Sequence, residues 1–315
     1  MQRQAAVRYA AVLMIGGLML ACSSDSVNSP TTGDVTQWVV DAITIPATVT
    51  ASNQLGFDLN GDGQPENALG QVLVALQTAG AGGLGFQAAM SGGIASGAIV
   101  QLISFQSDDA TLATDAAAAA HWYTGQATAG FTTGAHTINS SVAAGSFVGG
   151  LAARDYSSAD PAHAATPAEV TLPIKLFAAG TPINLPLNGA HVQWHFSGTT
   201  GIATGALQGS LSVQDVNTRF VPELQQAVNA QIQADTSSQS AHALEGLFDT
   251  GGCAGAVAGD HNVNICEISN SPLIQTLLSP DIHVYDGVGN YKPAATGTPN
   301  AVSAAFGFTA VRTTF

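Results

Sequence analysis

Basic residues are scarce in this chain of 315 residues: seven Lys and Arg stand against 21 Asp and Glu, a formal net charge of −14 at pH 7. An acidic surface repels a phosphate backbone, so we expect no nucleic-acid partner. Charged residues make up only 9% of the chain and aromatic residues 6%, whereas glycine occurs 35 times. This composition is typical of an extracellular β-rich protein and argues against a cytosolic enzyme.

The first 21 residues have the pattern of an export signal. Arg3 and Arg8 make the start positive, residues 10–21 are apolar and uncharged, and Ala21 places a small residue before Cys22. This ending resembles the lipobox of bacterial lipoproteins, which implies cleavage before Cys22 and a diacylglycerol on its thiol, with palmitate as an acyl chain. The alternatives are a transmembrane helix, for which the run is shorter than the roughly 20 residues required, and a secretory signal with a coincidental cysteine.

Residues 22–34 are rich in Ser, Thr, Asp and Asn, which predicts a flexible tether between the lipid and a domain over 35–315. Lipid on Cys22 would hold the chain on a membrane. Ser23 after the cysteine fits, by resemblance to the sorting rule of that family, delivery to an outer membrane. We therefore expect a lipid-anchored location in the cell envelope, on the outer membrane or at the cell surface.

Once Cys22 carries lipid, Cys253 and Cys266 are the two cysteines that remain. An exported protein meets oxidising conditions, and an even number of cysteines favours pairing. The segment between them is short and rich in Gly and Ala, so its ends can meet. We predict a disulfide, with two free thiols as the alternative.

The pattern over 35–315 predicts a single large domain, mainly β with several short helices, of the β-sandwich or jelly-roll type. Short β-rich runs separated by Gly, Thr and Asn are typical of a sandwich or a barrel. Helical periodicity marks two insertions, about 66–94 and 215–278. Strand patterns run over 35–51, 98–105, 142–151, 170–177, 191–196, 205–213, 281–285 and 301–311.

The sharpest chemical motif is the segment 58–67, DLNGDGQPEN. It places oxygen-bearing side chains at the first, third and fifth positions of a loop, a backbone carbonyl at the seventh and a carboxylate at the ninth. Hard oxygen ligands in this spacing suit calcium. The candidate ligands are Asp58, Asn60, Asp62, Gln64 and Glu66.

This loop resembles the D-x-[DN]-x-D-G calcium loops of EF-hands, dockerins and thrombospondin type 3 repeats. It departs from the EF-hand at the twelfth position, where Leu69 replaces the bidentate Glu. The motif therefore predicts a weaker calcium site of the extracellular kind, with a dissociation constant of about 0.1–1 mM. The alternative is an Asx-rich turn that caps the following helix.

A second, fainter calcium-loop pattern lies near the cysteine pair. Ala256 and Ala258 occupy its first and third positions and cannot bind a metal through their side chains, so Asp249 would have to substitute. The alternative is a degenerate helix-loop-helix that is held by the disulfide instead of a metal. The candidate ligands are Asp249, Asp260, Asn262, Asn264 and Glu267.

Together, the lipobox, the acidic Gly- and Thr-rich body, the 58–67 loop and the ending GFTAVRTTF resemble the uncharacterised lipoproteins of myxobacteria and related deltaproteobacteria. Residues 57–76 and 245–315 carry this resemblance. It implies an envelope setting and adds no mechanism.

The leading functional hypothesis is a non-enzymatic envelope lipoprotein whose calcium-stabilised domain serves in adhesion or in binding a glycan or protein ligand. The alternative is an exported hydrolase that acts on polysaccharide or peptide, which would need a cleft with a pair of carboxylates of shifted pKa. Ser146 lacks the G-x-S-x-G spacing of a nucleophile elbow. His191 and His195 share one face of a predicted strand, so a transition-metal site is possible. Because no carboxylate pattern lies near them in the sequence, a solvated strand face is favoured.

Overall fold

The computed structural model describes residues 33–78, 84–127, 136–162 and 167–315. The export signal, Cys22 and the tether as far as residue 32 lie outside the described residues. The strands are β1 (Asp34–Thr44), β2 (Gln101–Ser107), β3 (Asp115–Ala127), β4 (His136–Ile138), β5 (Gly145–Ala152), β6 (Asp155–Ser158), β7 (Ala168–Ile174), β8 (Ile183–Ser197), β9 (Gly201–Ser212) and β10 (Ala301–Arg312). The helices are α1 (Val49–Leu55), α2 (Ala68–Thr78), α3 (Phe86–Ala95), α4 (Val213–Asp215), a π-helical turn (Val216–Phe220), α5 (Val221–Ala234), α6 (Gln239–Phe248), α7 (Ile265–Asn270) and α8 (Pro272–Leu277).

Eight of these strands close into one antiparallel barrel. In the order of their hydrogen bonds they are β1, β10, β9, β8, β6, β5, β3 and β2, and β2 pairs back with β1. Two short strands lie outside this cycle: β4 pairs with β3, and β7 pairs with β8. The domain is therefore mainly β, with its helices in the connections.

The predicted sandwich or jelly roll is wrong, because the eight strands form a closed barrel. Alternation of apolar and polar residues shows that one face of a strand is buried. It does not show whether that face meets a second sheet or the inside of the same sheet. The closure depends on β3, whose first half is a run of alanines at 116–120. Alanine is depleted in strands, so this half of β3 gave no strand signal.

Aromatic rings fill the inside of the barrel. Trp38 of β1 packs against Phe196 of β8 with ring centroids 5.4 Å apart, although two other strands separate β1 from β8 in the sheet. Phe105 of β2 likewise reaches Tyr156 of β6 at 5.0 Å and Trp194 of β8 at 5.6 Å. Such contacts cross the interior, so the side chains that alternate with them along β6 and β8 lie on the outer face.

The connection between β1 and α2 differs from its prediction. The strand pattern over 35–51 ends in the structure at Thr44, and α1 begins at Val49. Thr48 caps this helix by accepting a hydrogen bond from the Ala51 N–H at 3.1 Å. The predicted strand at 281–285 forms only isolated bridges, Ile282 with Ala301 and Tyr285 with Tyr291.

Helix α2 shows how the sequence produces the packing. Its buried residues include Leu69, Val72, Leu73 and Leu76, which recur at helical spacing and form one apolar stripe. Within the described residues, no helix combines the length and the apolar character needed to cross a membrane.

Candidate functional site

The predicted calcium loop connects α1 to α2 and is closed at its base. Phe57 and Glu66 form an antiparallel bridge, in which the Glu66 N–H donates to the Phe57 carbonyl at 3.3 Å. The ring of Phe57 stacks on the imidazole of His191 in β8, with ring centroids 3.8 Å apart. The first stem of the loop is thereby packed onto the outer face of the barrel.

Asn67 fixes the other stem of the loop to β10. Strand β1 pairs with β10 only as far as Gly307, so the edge of β10 before that residue has no strand beside it. The Asn67 side chain takes the place of that strand: its Oδ1 accepts from the Ala305 N–H at 2.8 Å, and its Nδ2 donates to the Ala305 carbonyl at 3.2 Å. Oδ1 also accepts from the Gly70 N–H at 3.0 Å in the first turn of α2.

Asp58 folds the loop around its own carboxylate. Its Oδ1 accepts from the N–H groups of Gly61 at 2.7 Å and Asp62 at 3.0 Å, and its Oδ2 accepts from Gly63 at 2.7 Å. Gly61 and Gly63 have φ of +82° and +86°, values that glycine adopts without steric cost. This explains why the motif carries glycine at both positions.

Three carboxylates converge inside the turn. One oxygen each of Asp58, Asp62 and Glu66 lies within 4.8 Å of the others. Burial, helped by repulsion from Asp62, Asp58 and Asp281, raises the pKa of Glu66 to about 8, although a hydrogen bond from the Leu59 N–H lowers it. Glu66 Oε2 accepts that bond at 3.2 Å, whereas Oε1 is buried and has no hydrogen-bond partner within the described residues. A divalent cation would relieve the repulsion among the three carboxylates.

The other two predicted ligands of this loop are placed differently. Asn60 Oδ1 accepts from the Asp62 N–H at 2.9 Å, and its Nδ2 donates to Asp62 Oδ2 at 3.3 Å. The Gln64 N–H donates to Asp62 Oδ1 at 2.8 Å, and the residue is exposed. In the structure Asn60 and Gln64 hydrogen-bond to Asp62, and Asp58, Asp62 and Glu66 form the convergent acidic group.

The second predicted metal site is organised by backbone hydrogen bonds. Asp249 Oδ1 accepts from the Gly259 N–H at 2.8 Å, and its Oδ2 accepts from the His261 N–H at 3.0 Å. Glu267 accepts from the N–H groups of Gly251 at 2.8 Å and Asn264 at 3.0 Å. Each of these carboxylates thus holds the backbone of the loop.

Its remaining candidates have equally local roles. Asn264 caps α7 by accepting from the Glu267 N–H at 3.0 Å, and Asp260 accepts from the Asn262 N–H at 2.9 Å. Asp249, Asp260 and Glu267 do not form a convergent acidic group in the described part of the chain, where Asp58, Asp62 and Glu66 do.

The sulfurs of Cys253 and Cys266 lie 1.99 Å apart, at disulfide distance. Their bridge spans the loop between α6 and α7. This arrangement favours the degenerate helix-loop-helix held by a disulfide over a second metal site.

The two histidines of β8 have separate surroundings. His191 is 1% exposed, and its Nδ1 lies 2.9 Å from Ser158 Oγ, while burial lowers its pKa to about 4. His195 is half-exposed, and its Nδ1 lies 2.8 Å from Asp155 Oδ1. The two imidazoles therefore do not form a shared metal site. The sequence offered no signal for the pair of His195 and Asp155, which are 40 residues apart.

Comparison with protein-family models, with curated proteins and with solved structures found no match for this chain.

Proposed function

We propose that this chain is a lipid-anchored envelope protein whose β-barrel domain binds calcium at Asp58, Asp62 and Glu66 and serves in adhesion or ligand binding. One observation carries the metal site: three carboxylate oxygens lie within 4.8 Å of one another, beside a buried oxygen that has no partner in the described residues. Calcium is the proposed ion because the candidate ligands are hard oxygen donors in the spacing of a calcium loop.

A cation in this loop would act on the domain through the two stems of the loop. The first stem packs on β8 through the stack of Phe57 on His191, and the second is bonded to β10 through Asn67. Ordering the loop therefore stabilises the contact between the α1–α2 connection and two strands of the barrel. The proposed role of calcium is structural, as in extracellular modules that meet millimolar calcium.

The test is a thermal melt of the purified protein in millimolar calcium and in chelator, repeated on Asp62→Asn. Calcium at ten times its dissociation constant stabilises the folded state by about 1.4 kcal/mol, which corresponds to about 2–3 °C in the melting midpoint for a domain of this size. The Asp62→Asn variant is expected to lose this shift, because it keeps the shape of the side chain and removes its charge.

Asp286→Asn is the matched control. Asp286 also holds an exposed turn, by accepting from the N–H groups of Val288 at 3.0 Å and Asn290 at 2.9 Å, but it lies outside the acidic group. It should keep the full calcium shift. Equal melting midpoints with calcium and with chelator in the unsubstituted protein would show that residues 58–66 form a capped turn that binds no calcium.

The proposed anchoring of the chain to a membrane depends on the lipid on Cys22 and is tested separately. We expect a bacterium that processes lipoproteins to incorporate labelled palmitate into the chain and to retain it in the membrane fraction, and both properties should be lost in Cys22→Ser. The resemblance to myxobacterial lipoproteins supports this proposal. Equal labelling of the two proteins, or none in either, would refute it.

A further inference from the structure

A cleft of about 370 Å³ opens on the outer face of the barrel, between β6, β8, β9 and the end of α1. Its volume falls within the range of about 300–1,000 Å³ that is usual for small-molecule sites. The polar side chains that line it are Gln54, Asp155, Ser157, Gln193, His195 and Thr204.

The strand register explains why these side chains face the same way. Asp155 pairs with His195, which pairs in turn with Thr204, so the three lie side by side across β6, β8 and β9. Ser157 and Gln193 form the adjacent pair. Successive residues of a strand point to opposite faces, and their neighbours in sequence, such as Tyr156 and Trp194, pack into the barrel core.

Asp155 and His195 form the centre of this polar surface. Because a carboxylate only accepts, the His195 Nδ1–H donates to Asp155 Oδ1 at 2.8 Å. The side chains are 69% and 46% exposed, so the second carboxylate oxygen and the imidazole Nε2 are within reach of a ligand. The pair thus presents fixed hydrogen-bonding atoms to the cleft.

The charge of the cleft selects against anions. Among the described residues, no Lys or Arg lines it, and Asp155 contributes a carboxylate. The aromatic rings at its base, Tyr156 and Trp194, are at most 3% exposed, so no open aromatic face is available to a quaternary ammonium group. Of the remaining lining, Leu55 and Gly205 are partly exposed and offer an apolar surface to C–H groups, whereas Ala206 is buried.

We propose that this cleft binds a neutral saccharide. Sugar hydroxyls both donate and accept hydrogen bonds, which matches a lining of carboxylate, imidazole, amide and hydroxyl groups. The C–H face of a sugar ring can contact the apolar surface of Leu55 and Gly205. The inference rests on the proposed function, because it names the ligand class of an envelope protein that binds ligands. One wall of the cleft is fixed independently of calcium, since Gln208 Nε2 donates to the Leu55 carbonyl at 2.6 Å.

The experiment is an NMR titration of the isotopically labelled protein, in calcium, with three neutral disaccharides: maltose, cellobiose and N,N′-diacetylchitobiose. At least one should shift the amide resonances of Asp155, Gln193 and Thr204. Asp155→Asn should weaken that binding about tenfold, the loss expected from one charge-assisted hydrogen bond. His121→Ala is the matched control and should bind normally, because His121 lies on the outer face of β3, where its Nδ1 contacts Ser146 Oγ at 3.0 Å.

The inference is overturned if none of the three disaccharides shifts these resonances at millimolar concentration, or if Asp155→Asn binds as tightly as the unsubstituted protein. It is also overturned if inorganic phosphate occupies the cleft and the sugars do not. Equal melting midpoints of the variants show that they are folded, as expected for exposed side chains.

Melting the same samples with calcium and with chelator separates the two proposals. Saccharide binding without any calcium shift would support the cleft and refute the metal site. A calcium shift without saccharide binding would refute the cleft and leave the metal site standing.

Discussion

The side chain of Asn67 is expected to be the main attachment between the metal loop and the barrel. It is 1% exposed and bonds to both backbone groups of Ala305, a residue of β10 that is fully buried. It also donates to the Ser52 carbonyl at 3.1 Å and accepts from Gly70 in the first turn of α2. In Asn67→Ala, these four backbone groups lose their partner at once.

The cost of this substitution follows from the groups left without a partner. A buried backbone group that loses its hydrogen bond costs about 1–3 kcal/mol, and the loss of a helix cap costs about 1 kcal/mol. The two groups of Ala305 and the cap of α2 together predict a loss of about 3–7 kcal/mol in the free energy of unfolding. Because β1 ends before this point, no strand can replace Asn67 along the edge of β10.

Urea denaturation of the purified protein measures this loss, provided that the slope of the transition is unchanged. Asn53→Ala is the control: Asn53 lies in α1 on the exposed side, and its side chain accepts a surface hydrogen bond from Gln71 Nε2 at 3.2 Å. It should change stability by less than about 0.5 kcal/mol. A loss below about 1 kcal/mol in Asn67→Ala would refute the view that this side chain completes the edge of β10.

Three further predictions concern other contacts. Burial lowers the pKa of His191 to about 4 against about 6.5 in the unfolded chain, so only the unfolded state gains a proton between these values, and the contribution of His191 to stability should fall by on the order of 3 kcal/mol as the pH drops from 6.5 to 4. Urea denaturation at several pH values should show this fall as the difference between the unsubstituted protein and His191→Gln, whereas His121→Gln should follow the pH profile of the unsubstituted protein. Cys253→Ser should lower the free energy of unfolding by about 3 kcal/mol, because it opens the disulfide loop. A reductant should cause the same loss in the unsubstituted protein. If the two thiols are free in solution, neither the substitution nor the reductant should have this effect. Gly189 has φ of +57°, and a Cβ there would lie 1.9 Å from the Tyr291 hydroxyl, so Gly189→Ala should cost more than about 2 kcal/mol; an unchanged urea midpoint would contradict this.

Local pattern was sufficient to predict several helices. The helical periodicity over about 66–94 anticipated α2 and α3, and that over about 215–278 anticipated the helices α5 to α8. In each case the signal and the structure involve neighbouring residues, so nothing beyond the segment is needed to interpret it.

Closure of the barrel could not be predicted in the same way. It depends on which strands pair, and β1 pairs with β10 across nearly the whole length of the chain. The alanine run of β3 also hides the strand that completes the cycle through its pairing with β2. A pattern of buried faces is compatible with both a sandwich and a barrel, and the decision lies in these long-range pairings.

The candidate sites likewise differ in whether local spacing or long-range strand pairing brings their residues together. Asp58, Asp62 and Glu66 converge because the spacing of one turn brings them together, and this spacing is visible in the sequence. Asp155 and His195 are brought together only by the pairing of β6 with β8. The role of Asn67 was equally hidden, because its partner Ala305 is 238 residues away.

The most direct test of the central claim is diffraction from crystals of the whole protein grown in millimolar calcium. We expect one strong electron-density peak among Asp58, Asp62 and Glu66, with oxygen ligands at about 2.3–2.6 Å, and no such peak in crystals of Asp62→Asn. A loop of the same shape with water or nothing between the three carboxylates would contradict the proposed calcium site.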